Sequence, residues 1–329
     1  MINLLNRSME EITEVIEATS RKSGLASSIV EKDLWVCYIL YYLFNRCDYK
    51  DYFEFKGGTS LSKAYDLIDR MSEDIDIVLN SEIIDFTFSK DLFNKSNNQK
   101  NKLVNELNNR ALEFYKNKLL KVITNDLTNE INKELKISLR EEELAIYIEY
   151  PSSYNSSYIK NAVKIEIGPI ASWTPYETKK IKSYVSTYYP NLFDNVSFNV
   201  RVTLPVRTFW KKAVILHQEA NRENGKIPQR YSRHYYDLYK MYYSNVKNDA
   251  LNNFGLLEDV RLFTMTFYNR AWTKFEEAKP GTFKLIPKNL DDLKNDYKLM
   301  ESMFFKEFPS FDEVIDVLKK LENEINGVL

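Results

Sequence analysis

Apolar residues recur at helical spacing through most of this chain, broken by a few short runs that alternate instead. Residues 8–23 and 29–45 carry the helical spacing, with Gly24 and the cap-like pair Ser27 and Ser28 between them. A short strand is expected over Tyr52–Lys56, leading into Gly57 and Gly58. A helix is then expected over Thr59–Asp69, with Leu61, Ala64, Tyr65 and Ile68 on one face. Residues 74–79 alternate as a strand, so Ile75 and Ile77 point one way and Asp74 and Asp76 the other. Residues 80–97 are polar and irregular, and residues 91–134 form a long polar helical stretch with a single apolar stripe. Alternation returns over 135–150, 162–168 and 193–205. Helical spacing resumes over 208–221, 232–244, 248–275, 289–305 and 310–326. The predicted fold is α/β (α+β): a mixed sheet with helices in residues 1–207, then a helical region in residues 208–329.

Composition adds little to this picture except in two places. The chain has 329 residues, 44% of them hydrophobic, with 8 Gly and 9 Pro, which places it among globular proteins rather than low-complexity ones. A net charge of −1 does not advertise nucleic-acid binding. The charge is uneven, however: residues 201–240 hold nine Lys or Arg against three Asp or Glu. Residues 301–329 hold three against seven. Such asymmetry can hold an anionic substrate over one end of a molecule. Cys37 and Cys47 share one apolar helical stretch and match no zinc spacing, so they are expected as free core thiols in a reducing cytosol. Residues 1–20 are acidic and amphipathic, unlike a secretory signal, and no apolar run is long enough to span a bilayer. A cytoplasmic protein without a membrane partner is expected.

The chemistry concentrates in residues 55–79. A double glycine opens a helix, and the helix leads to a strand carrying Asp74 and Asp76. Glycines let a backbone approach a phosphate, and the free N–H groups of a helix start attract an anion. Gly57, Gly58, Thr59 and Ser60 therefore read as a phosphate cradle, although an ordinary strand-to-helix turn capped by Thr59 would look the same. Lys63, one turn on, is placed to reach a phosphate or to sit solvated on the helix. Two carboxylates about 7 Å apart on one strand face can share a hard cation. A lone Asp-x-Asp is weak evidence for metal; preceded by the glycines and a helix it is much stronger. Cradle plus paired aspartates is what nucleotidyl transfer requires.

These segments resemble the nucleotidyltransferase superfamily, and within it the AbiEii/AbiGii toxin family. The resemblance rests on Phe55–Leu61 with Ser72–Asp76, on Val30–Val36, on Thr208–Ala213, on Arg230–Tyr239, and on Pro280–Phe283 with the stretch from Asp296 to Phe311. It implies metal-dependent transfer of a nucleoside monophosphate from an NTP, with Mg²⁺ or Mn²⁺ held by Asp74, Asp76 and a third acid. Glu166, mid-strand between Ile165 and Ile167, is the best candidate for that acid, with Glu149 in reserve; the alternative for Glu166 is an ion pair with a lysine such as Lys164. Lys212 would neutralise the triphosphate, although Lys211 precedes it where an acidic residue is expected. Asp237 would close the active site, contacting the lysine or the nucleotide. Arg233 joins the nucleotide-binding set, its alternative being an i,i+4 ion pair with Asp237. The tyrosines at 231, 235, 236, 239, 242 and 243 could stack RNA bases, but at helical spacing they are more often core. The resemblance further implies a toxin, a cognate antitoxin encoded nearby, and an RNA acceptor with tRNA 3′ ends foremost. Transfer to a protein hydroxyl, or a non-catalytic nucleotide- or RNA-binding module, are the alternatives.

Overall fold

The computed structural model describes residues 2–87, 90–154, 159–170, 175–223, 226–268, 270, 272–304 and 308–328. They divide into two compact units. The first comprises 1–64, 72–88 and 103–203; the second comprises 65–71, 89–102 and 204–329. The division expected from sequence, at 207/208, treats each part as continuous, whereas the compact units interleave.

The first unit is built on a seven-stranded mixed sheet. Its strands are β1 (Phe53–Lys56), β2 (Asp74–Leu79), β3 (Lys136–Arg140), β4 (Ala145–Glu149), β5 (Ala162–Gly168), β6 (Tyr176–Ile181) and β7 (Phe198–Thr203), in the spatial order β3-β4-β5-β2-β1-β7-β6. β2 runs antiparallel to β1 and parallel to β5. Alternation gives the sheet one apolar face: Phe53, Phe55, Ile75, Ile77, Ile146, Ile148, Val163, Ile165, Ile167, Val200 and Val202 are all buried. The helix Ser27–Tyr41 packs against this sheet and is buried almost all round. That burial extends to three consecutive charged residues, each satisfied at a different place. Glu31 accepts from the Ser152 hydroxyl. Lys32 donates to the carbonyls of Lys160 and Ala162 and lies 3.6 Å from Glu73. Asp33 accepts from the Tyr184 N–H at 2.7 Å and pairs with Lys63. The charged run thus fixes the helix to both ends of the connection between β4 and β5, to the start of the helix Tyr184–Tyr188 and to the helix after β1. Cys37 and Cys47 are buried free thiols, as expected.

Two sequence expectations fail locally. The helix after the glycines is Gly57–Lys63 and stops short of Asp69, because Asp66 takes a left-handed conformation (φ 51°) and ends any helical path. The alternating run 135–150 is a hairpin of β3 and β4, turned through Leu144 at φ 48°. β6 escaped the pattern because it is an edge strand with only Ile181 buried.

The second unit is helical, including Pro205–Ala220, Ser232–Tyr242, Asn245–Leu251, Phe254–Tyr268, Asp291–Leu299 and Phe311–Asn326. Pro205 occupies the first turn of its helix, where its missing N–H costs nothing. The segment 65–71 belongs here because it is tied to these helices. The Asp69 N–H donates to the Tyr236 hydroxyl at 3.2 Å, Lys240 pairs with Asp69 at 2.7 Å, and the Met71 N–H donates to the Met303 carbonyl at 2.7 Å.

Candidate functional site

In the first unit the register gathers the acids on the sheet's polar face. Asp74 lies opposite Lys164 and Asp76 opposite Glu166 on adjacent parallel strands. Cross-strand partners project from the same face, so Asp74, Asp76 and Glu166 share it. Glu149 lies opposite Ala162, on the far side of β5 from the aspartates. Register therefore favours Glu166 over Glu149 as the third acid. The side chain of Glu166 nonetheless adopts its alternative role here, paired with Lys164 at 2.6 Å; Lys164 also holds Glu143 at 2.7 Å. Burial opposes the Lys164 charge, but the bonds to Glu143 and Glu166 outweigh it and raise its pKa. Among the described residues no three His, Cys, Asp or Glu side chains already converge as a metal ion would require. The donor set, carboxylate oxygens on one face, is nevertheless the kind that suits hard divalent cations.

The acids crowd one another. Burial, followed by the charges of Glu73, Asp76 and Glu166, pushes Asp74 up to about 6. A free Asp titrates near about 3.9. Between these values the folded state binds a proton that the unfolded state does not, so metal-free stability should fall as pH rises through this window. The loss should be nearly complete a little above pH 6 and amount to about 3 kcal/mol. Urea midpoints at pH 4.5 and 7 in chelated buffer are expected to show this slope in the wild type and to lose most of it in Asp74→Asn. An equal slope in the variant would mean that other groups carry it.

The glycine turn is shaped around Asp76. Gly57 has φ +82°, and a Cβ there would lie 1.9 Å from Asp76 Oδ2. The backbone at the start of the helix Gly57–Lys63 is thus pressed against the carboxylate, an approach that only glycine permits. Gly57 and Gly58 remain partly exposed, while Thr59 and Ser60 are buried. The Thr59 hydroxyl contacts Ser72 Oγ at 2.9 Å and donates to the Asp74 carbonyl at 2.6 Å; Ser60 donates to the Gly57 carbonyl at 2.9 Å. These hydroxyls brace the turn, which leaves backbone N–H groups as the means of holding a phosphate. Lys63 also departs from its expected place. Its ammonium pairs with Asp33 at 2.5 Å and sits 4.3 Å over the Tyr184 ring, so its charge is matched within the protein. Sequence reading passed over Lys56, which lies opposite Asp76 and shares its face. Its ammonium comes 3.5 Å from where a Cβ on Gly168 would be. Its position directly before the double glycine was the only available signal.

In the second unit, Lys212 is buried and Lys211 exposed. Lys212 pairs with Asp237 at 2.8 Å and donates to His234 Nδ1 at 3.2 Å. Asp237 is also gripped by Arg70, a residue the sequence reading missed, through two bonds of 2.7 Å. Burial disfavours the Asp237 charge, but Arg70 and Lys212 hold its pKa well below the usual carboxylate range. Burial, then Lys212 and Arg233, push His234 well below its ordinary value, so its imidazole is neutral. Arg233 adds positive charge near Lys212, while the ion-pair partners of Asp237 among the described residues are Arg70 and Lys212. Of the clustered tyrosines, Tyr235, Tyr236 and Tyr239 are core and Tyr243 is 65% exposed. No helix among the described residues is long and apolar enough to cross a membrane.

Residues 38–317 match a family described as the nucleotidyl transferase AbiEii toxin of a type IV toxin–antitoxin system. No curated protein matches the sequence. Among solved structures, the chain is similar to MenT4, nucleotidyltransferase toxin Rv2826c from Mycobacterium tuberculosis H37Rv. The identity is 13% and the TM-score 0.47, with 95% of this chain and 98% of that one covered.

Proposed function

This chain belongs to the AbiEii family of nucleotidyl transferase toxins of type IV toxin–antitoxin systems, and we propose that it transfers a nucleoside monophosphate from an NTP to an RNA hydroxyl, with tRNA 3′ ends the foremost acceptor. The observation that carries the proposal is the register of β2 on β5, which supports one polar face for Asp74, Asp76 and Glu166 beside the glycine turn. Asp74 and Asp76 would hold Mg²⁺ or Mn²⁺, with Glu166 joining them by releasing Lys164. A divalent cation bound there would offset phosphate charge and favour in-line displacement at the α-phosphorus. The backbone N–H groups at Gly57 and Gly58 are assigned to the phosphates. Lys212 is assigned to the triphosphate, Arg233 to supporting charge, and Asp237 to orienting Lys212. Glu166, once released from Lys164, is assigned to accept the proton of the attacking hydroxyl. The reading places the protein in the cytoplasm, opposed by an antitoxin encoded nearby.

Incubating the purified protein with each α-labelled NTP, Mg²⁺ and total RNA tests this. Label in a tRNA-sized band is the expected result. Label on the protein itself would move the acceptor to a protein hydroxyl, and no transfer under any NTP would leave only a binding module.

Glu166→Gln is expected to cut single-turnover transfer by about 10²-fold or more, with little change in NTP affinity. An interaction made mainly in the transition state lowers kcat without weakening ground-state binding. Transfer near the wild-type rate would make Glu166 a structural partner of Lys164 and send the search to Glu149.

A further inference from the structure

Asp237 is shared by two cations, and unequally. Arg70 takes both oxygens, Nε to Oδ1 and Nη2 to Oδ2, each at 2.7 Å. Lys212 reaches only Oδ2, at 2.8 Å. All three side chains are nearly or fully buried: Arg70 at 2%, Lys212 at 6% and Asp237 at 0% exposure. A planar guanidinium matches a carboxylate through two parallel bonds, so it is the stronger competitor for one aspartate. Arg70 is also held in place independently. Its Nη1 donates to the Met71 carbonyl at 3.0 Å, and its neighbours Asp69 and Met71 are bonded to Tyr236, Lys240 and Met303.

The charge balance is the informative part. Two cations face one carboxylate, and the adjacent His234 contributes no charge. A buried set with one excess positive charge is costly unless an anion completes it. Two of the three N–H bonds of Lys212 go to Asp237 and His234. Without Arg70, Lys212 and Asp237 would form a closed neutral pair.

We propose that Arg70 is a positioning residue for nucleotide binding: by occupying both oxygens of Asp237, it keeps that aspartate from neutralising Lys212 and so reserves the Lys212 charge for the triphosphate of the NTP. The inference rests on the assignment of Lys212 to the triphosphate. It explains why a lysine meant for an anion sits against a carboxylate: the carboxylate orients the ammonium while its charge is spent on the arginine.

NTP affinity, measured by titration in the presence of Ca²⁺ to prevent turnover, separates the possibilities. Lys212→Ala is expected to weaken binding at least ten-fold, and Lys211→Ala much less. Arg70→Gln should weaken it to a similar degree, because Asp237 is then free to neutralise Lys212. Arg70→Gln/Asp237→Asn should recover to within about three-fold of wild type, since removing both charges again leaves Lys212 unneutralised. A merely structural role for Arg70 would leave the double variant as weak as the single one or weaker, and that result overturns the proposal. So does wild-type affinity in Arg70→Gln. Should Arg70→Gln fail to fold, Arg70→Lys decides: a single-point ammonium occupies Asp237 less fully than the two-pronged guanidinium, so clearly weakened binding supports the proposal and wild-type affinity overturns it. An unchanged affinity in Lys212→Ala would instead remove the premise about Lys212 itself.

Discussion

Asp76→Asn is expected to lower nucleotidyl transfer by about three powers of ten while leaving the protein folded. The substitution changes almost no volume but removes one of the two β2 carboxylates on the polar face. A divalent cation contributes several kcal/mol to stabilising the charge that develops in phosphoryl transfer, and each 1.36 kcal/mol is worth a factor of about ten. Stability should not suffer in the absence of metal. Asp76 adds to the repulsion felt by Asp74, and relieving it is neutral or favourable. Single-turnover transfer and a thermal melt on the same preparation check both halves. Transfer within about ten-fold of wild type would remove Asp76 from the metal centre.

Gly57→Ala should be severely damaging for a change of one methyl group. A left-handed conformation costs a non-glycine residue about 1–2 kcal/mol, and forcing a methyl into occupied space costs a further 1–3 kcal/mol. The added Cβ would arrive 1.9 Å from Asp76 Oδ2, so either the turn opens or the carboxylate leaves its place. Destabilisation by about 2–5 kcal/mol is expected, with transfer falling nearly as far as in Asp76→Asn. Gly24→Ala is the control: its φ is +75°, but nothing lies within 4 Å of its Cβ. That variant should lose only the backbone contribution and keep full activity. Equal losses in the two alanine variants would mean that backbone strain, and not the approach to Asp76, decides the outcome.

Much of this was legible in the chain because the relevant signals are local. Alternation over 74–79 and 162–168 gave both strands and the face of each acid, since side-chain direction follows from position alone. What alternation could not supply was register: only the parallel pairing of β2 with β5 sets Glu166 beside Asp76 and Glu149 away from it. β6 was missed because an edge strand exposed on both sides, reading Tyr-Glu-Thr-Lys-Lys-Ile, has no apolar period to detect. Residues 65–69 read as the end of a helix because Ala64, Tyr65 and Ile68 keep a helical spacing. The actual path of the segment 65–71 is set by tertiary bonds to the helix Ser232–Tyr242, over 160 residues away in sequence. Arg70 was invisible for the same reason. A lone arginine just past an apparent helix carries no signal, whereas a buried arginine with two donors on one aspartate is unmistakable. The pairing of Lys63 was hidden as well, since its partner Asp33 lies thirty residues earlier, on a helix with no local link to it.

Binding of Mn²⁺, followed by electron paramagnetic resonance with a non-hydrolysable NTP analogue present, tests the central claim most directly. Wild type is expected to take up the ion specifically, Asp74→Asn and Asp76→Asn to lose that uptake, and Glu166→Gln to lose only part of it. Undiminished Mn²⁺ binding in both aspartate variants would contradict the assignment of this sheet face as the metal centre of the transferase.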